Sequence, residues 1–268
     1  MDFLHLKGKN IVLMGVANRR SVAWAIARVL LEAGANIIYI FRDQALLDKN
    51  RKLIGEEANA LTCDVEKEDE IAALSKKCAT LVPQIDGFVH SIAFANYSEG
   101  LKPFHGTLKK DFLQAIQISC FSLVQVVNSL KDLLSPDASI VTMSISTTRM
   151  ASENYGYMGP IKAALDSSVV FLAKSLSRDV SPMIRVNAVG PSLLKTSASA
   201  GIPGYIDAYF YAEKVLPRHR ALETREAADV VAFLLSNRSS GINAQTVVVD
   251  AGMSINYFDR ELIHPKKK

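Results

Sequence analysis

The chain of 268 residues is long enough for one large α/β domain, and its 49% hydrophobic and 22% charged residues are typical of a globular protein. Its net charge of +4 does not predict binding to nucleic acid or to a membrane, since three positive charges form the terminal run Lys266–Lys268, which we interpret as a solvated tail. The three cysteines match neither a zinc spacing nor an even-numbered disulfide framework, which favours a reducing compartment.

The amino terminus MDFLHLKGKN is too short and too charged for a signal peptide, and no apolar run approaches the roughly 18 residues of a membrane span. We therefore expect a soluble, cytoplasmic protein. No two histidines have the spacing of a helical metal pair, and His90 falls within an apolar strand, where we interpret it as a core residue. The sequence thus predicts no metal site.

Short apolar runs alternate with longer amphipathic segments along the chain. The predicted strands, in chain order, are NIVLMGV, NIIYIF, NALTCDV, part of IDGFVHSIAFA, ASIVTMSI, MIRVNAVG and AQTVVVDAG. The predicted helices are SVAWAIARVLLEAGA, QALLDKNRKLIG, EDEIAALSKKCATL, about 109–134, about 157–178 and TREAADVVAFLLS.

Continuous apolar strands separated by helices indicate a parallel sheet with helices on both faces. We therefore predict a single Rossmann-type α/β domain over residues 1–268, doubly wound around seven parallel strands. Ligands of such domains bind beyond the carboxyl ends of the strands.

The segment GVANRRSVAWAIA joins the first predicted strand to the first helix. Gly15 permits a tight turn, Ser21 lies near the helix start, and the unpaired N–H groups there suit a pyrophosphate. The loop is not the usual G-x-G-x-x-G, so alone it also fits an ordinary turn. Asp64, at the end of the third strand, is placed to accept a hydrogen bond from an adenine amino group.

Six segments together resemble the enoyl-acyl-carrier-protein reductases of the short-chain dehydrogenase superfamily. They are GVANRRSVAWAIA, CDV, VHSIAFAN, NYGYMGPIKAAL, RVNAVGP and VVVDAG, and the resemblance extends over about 5–255. It implies reduction, with NADH or NADPH, of the carbon–carbon double bond of a trans-2-enoyl thioester in fatty-acid synthesis. It also implies a substrate bound to acyl carrier protein or to another thioester carrier, and a homotetramer.

The resemblance also assigns site residues. Those expected at the cofactor are Gly15, Ala17, Ser21, Val22, Arg42, Asp64, Val65, Ser91, Ile92, Ala93, Lys162, Gly190 and Pro191. Those expected at the substrate are Ala95, Ile145, Tyr155, Met158, Ser197 and Ile202, with a covering segment at about 193–212. Arg42 suits an adenosine 2′-phosphate while Asp43 repels one, which leaves a slight preference for NADPH over NADH.

The segment NYGYMGPIK contains two tyrosines near one lysine. In a helix, two residues seven positions apart differ in direction by about 20° less than two full turns, so Tyr155 and Lys162 project from nearly the same side. Tyr157 and Lys162 are five positions apart, and their directions differ by about 140°. Tyr155 also matches the catalytic tyrosine of the family. Pro160 is tolerated only in a first turn, so the helix is expected to begin near Tyr157. Lys162 is expected to hold the nicotinamide ribose and to make Tyr155 more acidic.

The sequence departs from the family pattern in two places where the resemblance places the substrate. Ile145 stands where an aromatic residue is usual, and GPSLLKTSASAGI has nine residues between GP and GI where seven are typical. These differences keep open a related short-chain reductase acting on another conjugated enone or carbonyl. A cofactor-binding homologue without activity is a further alternative, disfavoured by the presence of Tyr155 and Lys162.

Overall fold

The computed structural model describes residues 2–100, 102–152 and 155–264. The terminal lysine run Lys266–Lys268 and Asn154 of the tyrosine segment therefore lie outside the described residues. The seven strands are β1 (Asn10–Met14), β2 (Asn36–Phe41), β3 (Ala60–Thr62), β4 (Ile85–His90), β5 (Leu134–Met143), β6 (Arg185–Pro191) and β7 (Thr246–Val249). They form one parallel sheet in the order β3-β2-β1-β4-β5-β6-β7, which confirms the predicted doubly wound fold.

The helices, in chain order, are α1 (Val22–Glu32), α2 (Gln44–Ile54), α3 (Glu68–Ala79), α4 (Lys109–Ile116), α5 (Ser122–Leu130), α6 (Met158–Asp179), α7 (Tyr205–Val215), α8 (Thr224–Leu235) and α9 (Arg260–Ile263). Single 3₁₀ turns occur at Phe104–Gly106, Lys131–Leu133, Ser199–Gly201, Asn237–Ser239 and Met253–Ile255. The helix predicted over 109–134 is interrupted by a π-helical turn, Gln117–Phe121, and it ends earlier because β5 already begins at Leu134. Helix α7 was not predicted.

Alternating residues of each strand face two separate cores, as a sheet covered on both faces requires. In β1, Val12 and Met14 pack with α3, α5 and α6, while Ile11 and Leu13 pack with α1, α2 and α8. His90 lies at the end of β4 and is fully buried, with both ring nitrogens in hydrogen bonds, to Thr142 Oγ1 (3.0 Å) and Ser122 Oγ (2.8 Å). Its prediction as a core residue is confirmed.

Residues Lys109–Leu133, taken as one helical stretch, have the length and composition of a membrane span, with a mean hydropathy of 1.3. This differs from the sequence prediction. Half of the stretch is buried inside the protein, and Ala115, Leu123 and Val126 belong to the core between α3 and α6. A core helix of an α/β sheet has this composition because one face packs on apolar strands, so the finding does not imply a span.

Two buried charged groups lie at the amino end of the sheet. Arg185, the first residue of β6, donates hydrogen bonds to the carbonyls of Leu234, Ser236 and Ser239, and so closes the carboxyl end of α8. Asp86 of β4 accepts from Lys9 Nζ (2.9 Å) and from the N–H of Asn10 (2.8 Å). Both buried charged groups are therefore hydrogen-bonded within the protein, Arg185 to carbonyls and Asp86 to a lysine and a backbone N–H, as burial of a charge requires.

Candidate active site

The structure brings the predicted site residues to one edge of the sheet, the carboxyl edge. They follow β1 (Gly15, Ala17, Ser21, Val22), β2 (Arg42), β3 (Asp64, Val65), β4 (Ser91, Ile92, Ala93, Ala95) and β5 (Ile145), or lie at the start of α6 (Tyr155, Met158, Lys162), at the end of β6 (Gly190, Pro191) and in the covering segment (Ser197, Ile202). This edge is where parallel α/β sheets bind ligands.

The turn after β1 packs directly on the turn after β4. Gly15 has a φ of +107°, and a Cβ on it would lie 2.0 Å from the carbonyl oxygen of Ser91. The N–H of Ser91 also donates to the carbonyl of Met14 (3.3 Å). Glycine is thus required at position 15 both by its backbone conformation and by this close contact.

The loop leading into α1 is held in place by side chains. Ser21 Oγ donates to the carbonyl of Asn18 (2.7 Å) and caps the helix by accepting from the N–H of Trp24 (3.3 Å). The buried amide of Asn50 on α2 donates to the carbonyl of Ala17 (3.2 Å). The loop is therefore ordered at a helix start, where backbone N–H groups and the helix dipole favour an anion.

The end of β2 carries an ion pair. Arg42 Nε donates to Asp43 Oδ2 (2.8 Å), while the other carboxylate oxygen of Asp43 caps α2 at the N–H of Leu46 (2.8 Å). The Arg42 side chain is 66% exposed. Asp64 accepts from the N–H of Glu66 through Oδ1 (3.1 Å). Because Asp43 is oriented by the helix it caps, Arg42 is held near the strand end but remains accessible.

The ends of β5 and β6 come together closely. A Cβ on Gly190 would lie 2.5 Å from the carbonyl oxygen of Ile145, so the glycine permits this approach. Two hydroxyls here, Ser144 Oγ and Ser192 Oγ, are buried without a hydrogen-bond partner. Buried hydroxyls are rarely left unpaired in native proteins. Together with the glycine contacts, these free hydroxyls fit a polar ligand such as a nicotinamide dinucleotide along this edge.

Lys162 lies on α6 and is only 3% exposed. Its Nζ donates to the carbonyl of Met143 at the end of β5 (2.7 Å). Burial lowers the pKa of Lys162 to about 8, although Asp166 and Cys120 act in the opposite direction. The structure therefore excludes an ordinary surface lysine and gives a cation confined to the carboxyl edge.

The two tyrosines of the segment have different environments. Tyr157 is buried, and its hydroxyl both donates to the carbonyl of Asn96 (3.1 Å) and accepts from its N–H (2.9 Å). Tyr155 is partly buried in the turn before α6, where its N–H donates to the carbonyl of Ser152 (3.0 Å). The hydroxyl of Tyr157 is thus used to fasten the loop after β4.

The expected acidity of Tyr155 is wrong for this structure. Burial raises the pKa of Tyr155, and the neighbouring Tyr97 and Tyr205 raise it further. Lys162 does not offset these effects, since its ammonium group is directed at the Met143 carbonyl. The phenol consequently retains its proton at neutral pH.

Helix α6 begins at Met158, so Pro160 lies in its first turn as predicted. Met158 itself is buried in the core, whereas Ala95 and Ile145 are partly buried. Contact of these three residues with an acyl chain stays a prediction.

The predicted covering segment contains the 3₁₀ turn Ser199–Gly201 and the beginning of α7. Ser199 Oγ donates to the carbonyl of Leu194 (2.9 Å), and the Tyr205 hydroxyl donates to the same carbonyl (2.8 Å). Ser197 and Ile202 are partly buried within it. These hydrogen bonds hold the segment together internally, while the buried Leu194 side chain packs in the core with residues of α1 and α8.

The fold and the site define a short-chain dehydrogenase/reductase type of protein, with a Tyr-x6-Lys pair beside a glycine-dependent loop at a helix start. The chain belongs to the enoyl-(acyl carrier protein) reductase family, whose model matches residues 15–254. Within the described residues, no cluster of three or more metal-ligating side chains occurs.

Similar proteins cover nearly the whole chain. It is 36% identical over 254 residues to the NADH-dependent enoyl-acyl-carrier-protein reductase FabI of Bacillus subtilis (strain 168), covering 93% of this chain and 97% of the relative. It is 34% identical over 253 residues to the NADPH-dependent FabI of Staphylococcus aureus (strain NCTC 8325 / PS 47), covering 93% and 98%.

Solved structures agree with this assignment. The enoyl-acyl-carrier-protein reductase (NADH) of Aquifex aeolicus VF5 matches with a TM-score of 0.89 and 29% identity, over 95% of this chain and 99% of that chain. The Bacillus cereus enoyl-acyl carrier protein reductase with NADP+ and indole naphthyridinone matches with a TM-score of 0.87 and 34% identity, over 93% and 98%.

Proposed function

We propose that this chain reduces the carbon–carbon double bond of a trans-2-enoyl thioester in fatty-acid synthesis, with the acyl group carried on acyl carrier protein. The observation that best supports the proposal is that Tyr155, just before α6, and the buried Lys162 of α6 both lie at the carboxyl edge, as does the ordered loop at the start of α1. Family membership supports the same reaction.

When bound, a reduced nicotinamide supplies a hydride to the β-carbon of the thioester. Negative charge then develops on the thioester oxygen, and the protonated Tyr155 donates a hydrogen bond to that oxygen. A proton taken up from solvent at the α-carbon of the enolate completes the saturated thioester. Lys162 is placed to hold the nicotinamide ribose hydroxyls, and its positive charge favours the developing enolate. Gly15, Ser21 and the start of α1 are placed to hold the pyrophosphate.

The test is oxidation of the reduced dinucleotide in the presence of crotonyl-acyl-carrier-protein, with crotonyl-pantetheine as the carrier-free comparison. Turnover of the crotonyl thioesters, lost in Lys162→Ala, supports the proposal. Ile145 has an aliphatic side chain beside the substrate edge, which favours a second candidate, reduction of another conjugated enone or a carbonyl. Turnover confined to a panel of such compounds would replace the first proposal by the second.

The coenzyme is proposed to be NADPH in preference to NADH, because the exposed guanidinium of Arg42 retains N–H donors beyond the Nε that bonds Asp43. Arg42→Ala should raise the KM for NADPH about tenfold and leave the KM for NADH nearly unchanged, since NADH has no 2′-phosphate. The matched control is Arg28→Ala, an exposed arginine of α1 outside the loop that precedes this helix. Equal changes with both coenzymes would remove Arg42 from coenzyme choice.

We further propose a cytoplasmic homotetramer. The exposed face of α6 carries Val170 and Phe171, the latter 76% exposed, and Phe121 of the π turn is also exposed. Apolar side chains of this size are often covered by another subunit. Light scattering of the purified protein tests the assembly, and Phe171→Asp should shift it toward smaller species.

The segment 193–212 is proposed to cover the bound acyl chain and exclude water from the reaction. The hydrogen bonds to the Leu194 carbonyl lie within the segment, and the buried Leu194 side chain packs in the core on the rest of the protein. Hydrogen exchange with dinucleotide and a saturated acyl thioester should protect this segment. Unchanged exchange in the segment would argue against a covering role.

A further inference from the structure

Tyr97 lies in the loop after β4, and its hydroxyl is buried without a hydrogen-bond partner. Such a group destabilises the folded protein relative to one that is paired or hydrated. Most buried polar atoms in native proteins have a hydrogen-bond partner, so an unpaired hydroxyl near the carboxyl edge indicates that a ligand provides the partner.

The loop that carries Tyr97 is held by three residues, Tyr157, Asp111 and Ser119. Asn96 binds the Tyr157 hydroxyl through both its backbone groups, and its side-chain amide donates to Asp111 Oδ1 (3.0 Å). Phe94, two residues before Asn96, is held by Ser119 of the π turn. The Ser119 hydroxyl accepts from the N–H of Phe94 (2.8 Å) and donates to its carbonyl (3.2 Å). The backbone flanking Tyr97 is therefore held on its amino-terminal side.

This arrangement places Tyr97 at the turn that contains Tyr155. The rings of Tyr97 and Tyr157 are 6.4 Å apart, and Tyr157 is two residues from Tyr155. Tyr97 is also one of the groups that raise the pKa of Tyr155, as expected for a neighbouring phenol. At the end of the adjacent β5, Ile145 has no polar side-chain atom, so it provides no side-chain donor there.

We propose that Tyr97 contacts the substrate, and that its hydroxyl gives the thioester oxygen a second hydrogen bond beside that of Tyr155. This inference rests on the proposed enoyl reduction and deepens it. Tyr97 donates a hydrogen bond and transfers no proton, since burial raises its pKa to about 12. Two donors on one oxygen stabilise the charge of the transition state more than that of the bound substrate.

The test makes the same change, tyrosine to phenylalanine, at two positions, Tyr97→Phe and Tyr39→Phe. Tyr39 is the matched control because its hydroxyl is also buried and unpaired, but it lies on β2 and lines a cavity of about 440 Å³ at the amino ends of the strands. Neither change removes a hydrogen bond from the protein, so neither should lower the Tm. Tyr97→Phe should lower kcat with crotonyl-pantetheine about 10²-fold, with unchanged dinucleotide affinity, while Tyr39→Phe should keep the wild-type kcat.

Two further measurements separate this inference from the proposed function. If Tyr97 and Tyr155 act on one oxygen, the double variant Tyr97→Phe/Tyr155→Phe should lose less activity than the product of the single losses. Binding of butyryl-pantetheine, with oxidised dinucleotide present, should weaken several-fold in Tyr97→Phe because a ground-state hydrogen bond is also lost.

Wild-type kcat in Tyr97→Phe overturns the inference while leaving enoyl reduction intact. A fall in Tm that accompanies a fall in kcat also overturns it, since the hydroxyl would then be structural. If the wild-type protein reduces no enoyl thioester, the proposed function fails by itself, and the butyryl-pantetheine affinities still decide whether Tyr97 contacts an acyl thioester. Equal affinities in wild type and Tyr97→Phe contradict the contact.

Discussion

The two ends of the sheet treat buried polar groups differently. At the amino end, Arg185 and Asp86 are buried and bonded to several protein groups each. At the carboxyl edge, three hydroxyls, those of Tyr97, Ser144 and Ser192, are buried and unpaired, against the single hydroxyl of Tyr39 near the amino end among the described residues. Buried polar groups without a hydrogen-bond partner reduce the stability of the protein. Binding of a polar ligand, however, requires groups that do not already form hydrogen bonds within the protein. The difference indicates that the amino end stabilises the fold and the carboxyl edge is organised for a ligand.

The largest expected effect at the carboxyl edge is that of Tyr155→Phe. Loss of one aimed donor to a developing oxyanion lowers kcat about 10²–10³-fold. We expect this loss with little change in dinucleotide affinity, because the hydroxyl acts chiefly in the transition state. Steady-state kinetics with crotonyl-pantetheine and dinucleotide titration provide the measurements.

Tyr157→Phe is the control for this prediction. Its hydroxyl bonds the backbone of Asn96, so its removal should lower the Tm more than that of Tyr155→Phe and reduce kcat much less. If Tyr157→Phe proves inactive and Tyr155→Phe active, the assignment of the donor and the proposed mechanism are both wrong.

At the amino end, Arg185→Met should remove stability without affecting ligands. The substitution removes the hydrogen bonds of the guanidinium to the carbonyls of Leu234, Ser236 and Ser239, and hydrogen bonds to a charged group contribute about 1.5–3 kcal/mol each. Each carbonyl keeps a second donor, so no buried acceptor is left unpaired. We expect the free energy of unfolding in urea to fall by about 3 kcal/mol or more, with dinucleotide affinity unchanged in the folded protein.

Arg178→Met is the surface control for Arg185→Met. Arg178 pairs with Asp179 but is largely exposed, and such pairs contribute about 0–1 kcal/mol. If the two variants lose equal stability, or if Arg185→Met weakens dinucleotide binding, the division of roles between the two sheet ends is not valid.

The sequence predicted the sheet, the helices that cover it and the residues of the carboxyl edge, because these depend on local periodicity and on strand ends. It also placed Pro160 in the first turn of α6. The π turn was not predicted, since its hydrogen bonding depends on Ser119 and Ser122 meeting Phe94 and His90 from distant parts of the chain. No local pattern records such contacts.

Helix α7 was missed for a related reason. Gly201, Pro203 and Gly204 precede it and indicated a segment without regular structure, but Gly204 adopts a left-handed φ of +70° directly before the helix begins. The unpaired hydroxyls of Ser144, Ser192 and Tyr97 were missed as well. Whether a serine or tyrosine is paired depends on packing, which the sequence does not specify.

Lys162 gives a pH prediction with two readouts. Burial lowers its pKa from 10.5 to about 8 in the folded protein, so between these values the unfolded chain binds a proton that the folded protein has released. Unfolding free energy should therefore rise with pH through this window relative to Lys162→Met, and the difference should be constant below it. Dinucleotide affinity should fall as pH rises through about 8, since we propose that the charged form of Lys162 holds the nicotinamide ribose.

The same pH series in Lys162→Met is the control. That variant should bind dinucleotide more weakly and show no step near pH 8. Asp166 and Cys120 face the same lysine, and Asp166→Asn should move the step to lower pH because it removes a charge that raises the pKa of Lys162. An identical step in wild type and Lys162→Met would assign it to another group.

The smallest expected effect concerns Ala251, just beyond β7 at the carboxyl edge. Its φ of +52° is in the left-handed region, which costs an alanine about 1–2 kcal/mol relative to glycine. Two hydrogen bonds hold this turn, from the N–H groups of Gly252 and Ser254 to the Asp250 carboxylate (2.9 and 2.8 Å). Glycine relieves the strain but adds freedom to the unfolded chain, worth about 0.4–1 kcal/mol in the other direction.

Ala251→Gly should therefore stabilise the protein by about 0.5–1 kcal/mol in urea unfolding. Ala33→Gly is the matched control, because Ala33 has an ordinary φ of −81° at the end of α1 and should lose stability on the same substitution. If Ala251→Gly also leaves kcat unchanged, the strain at this edge does not contribute to activity. If stability falls as it does in Ala33→Gly, the left-handed turn is not strained.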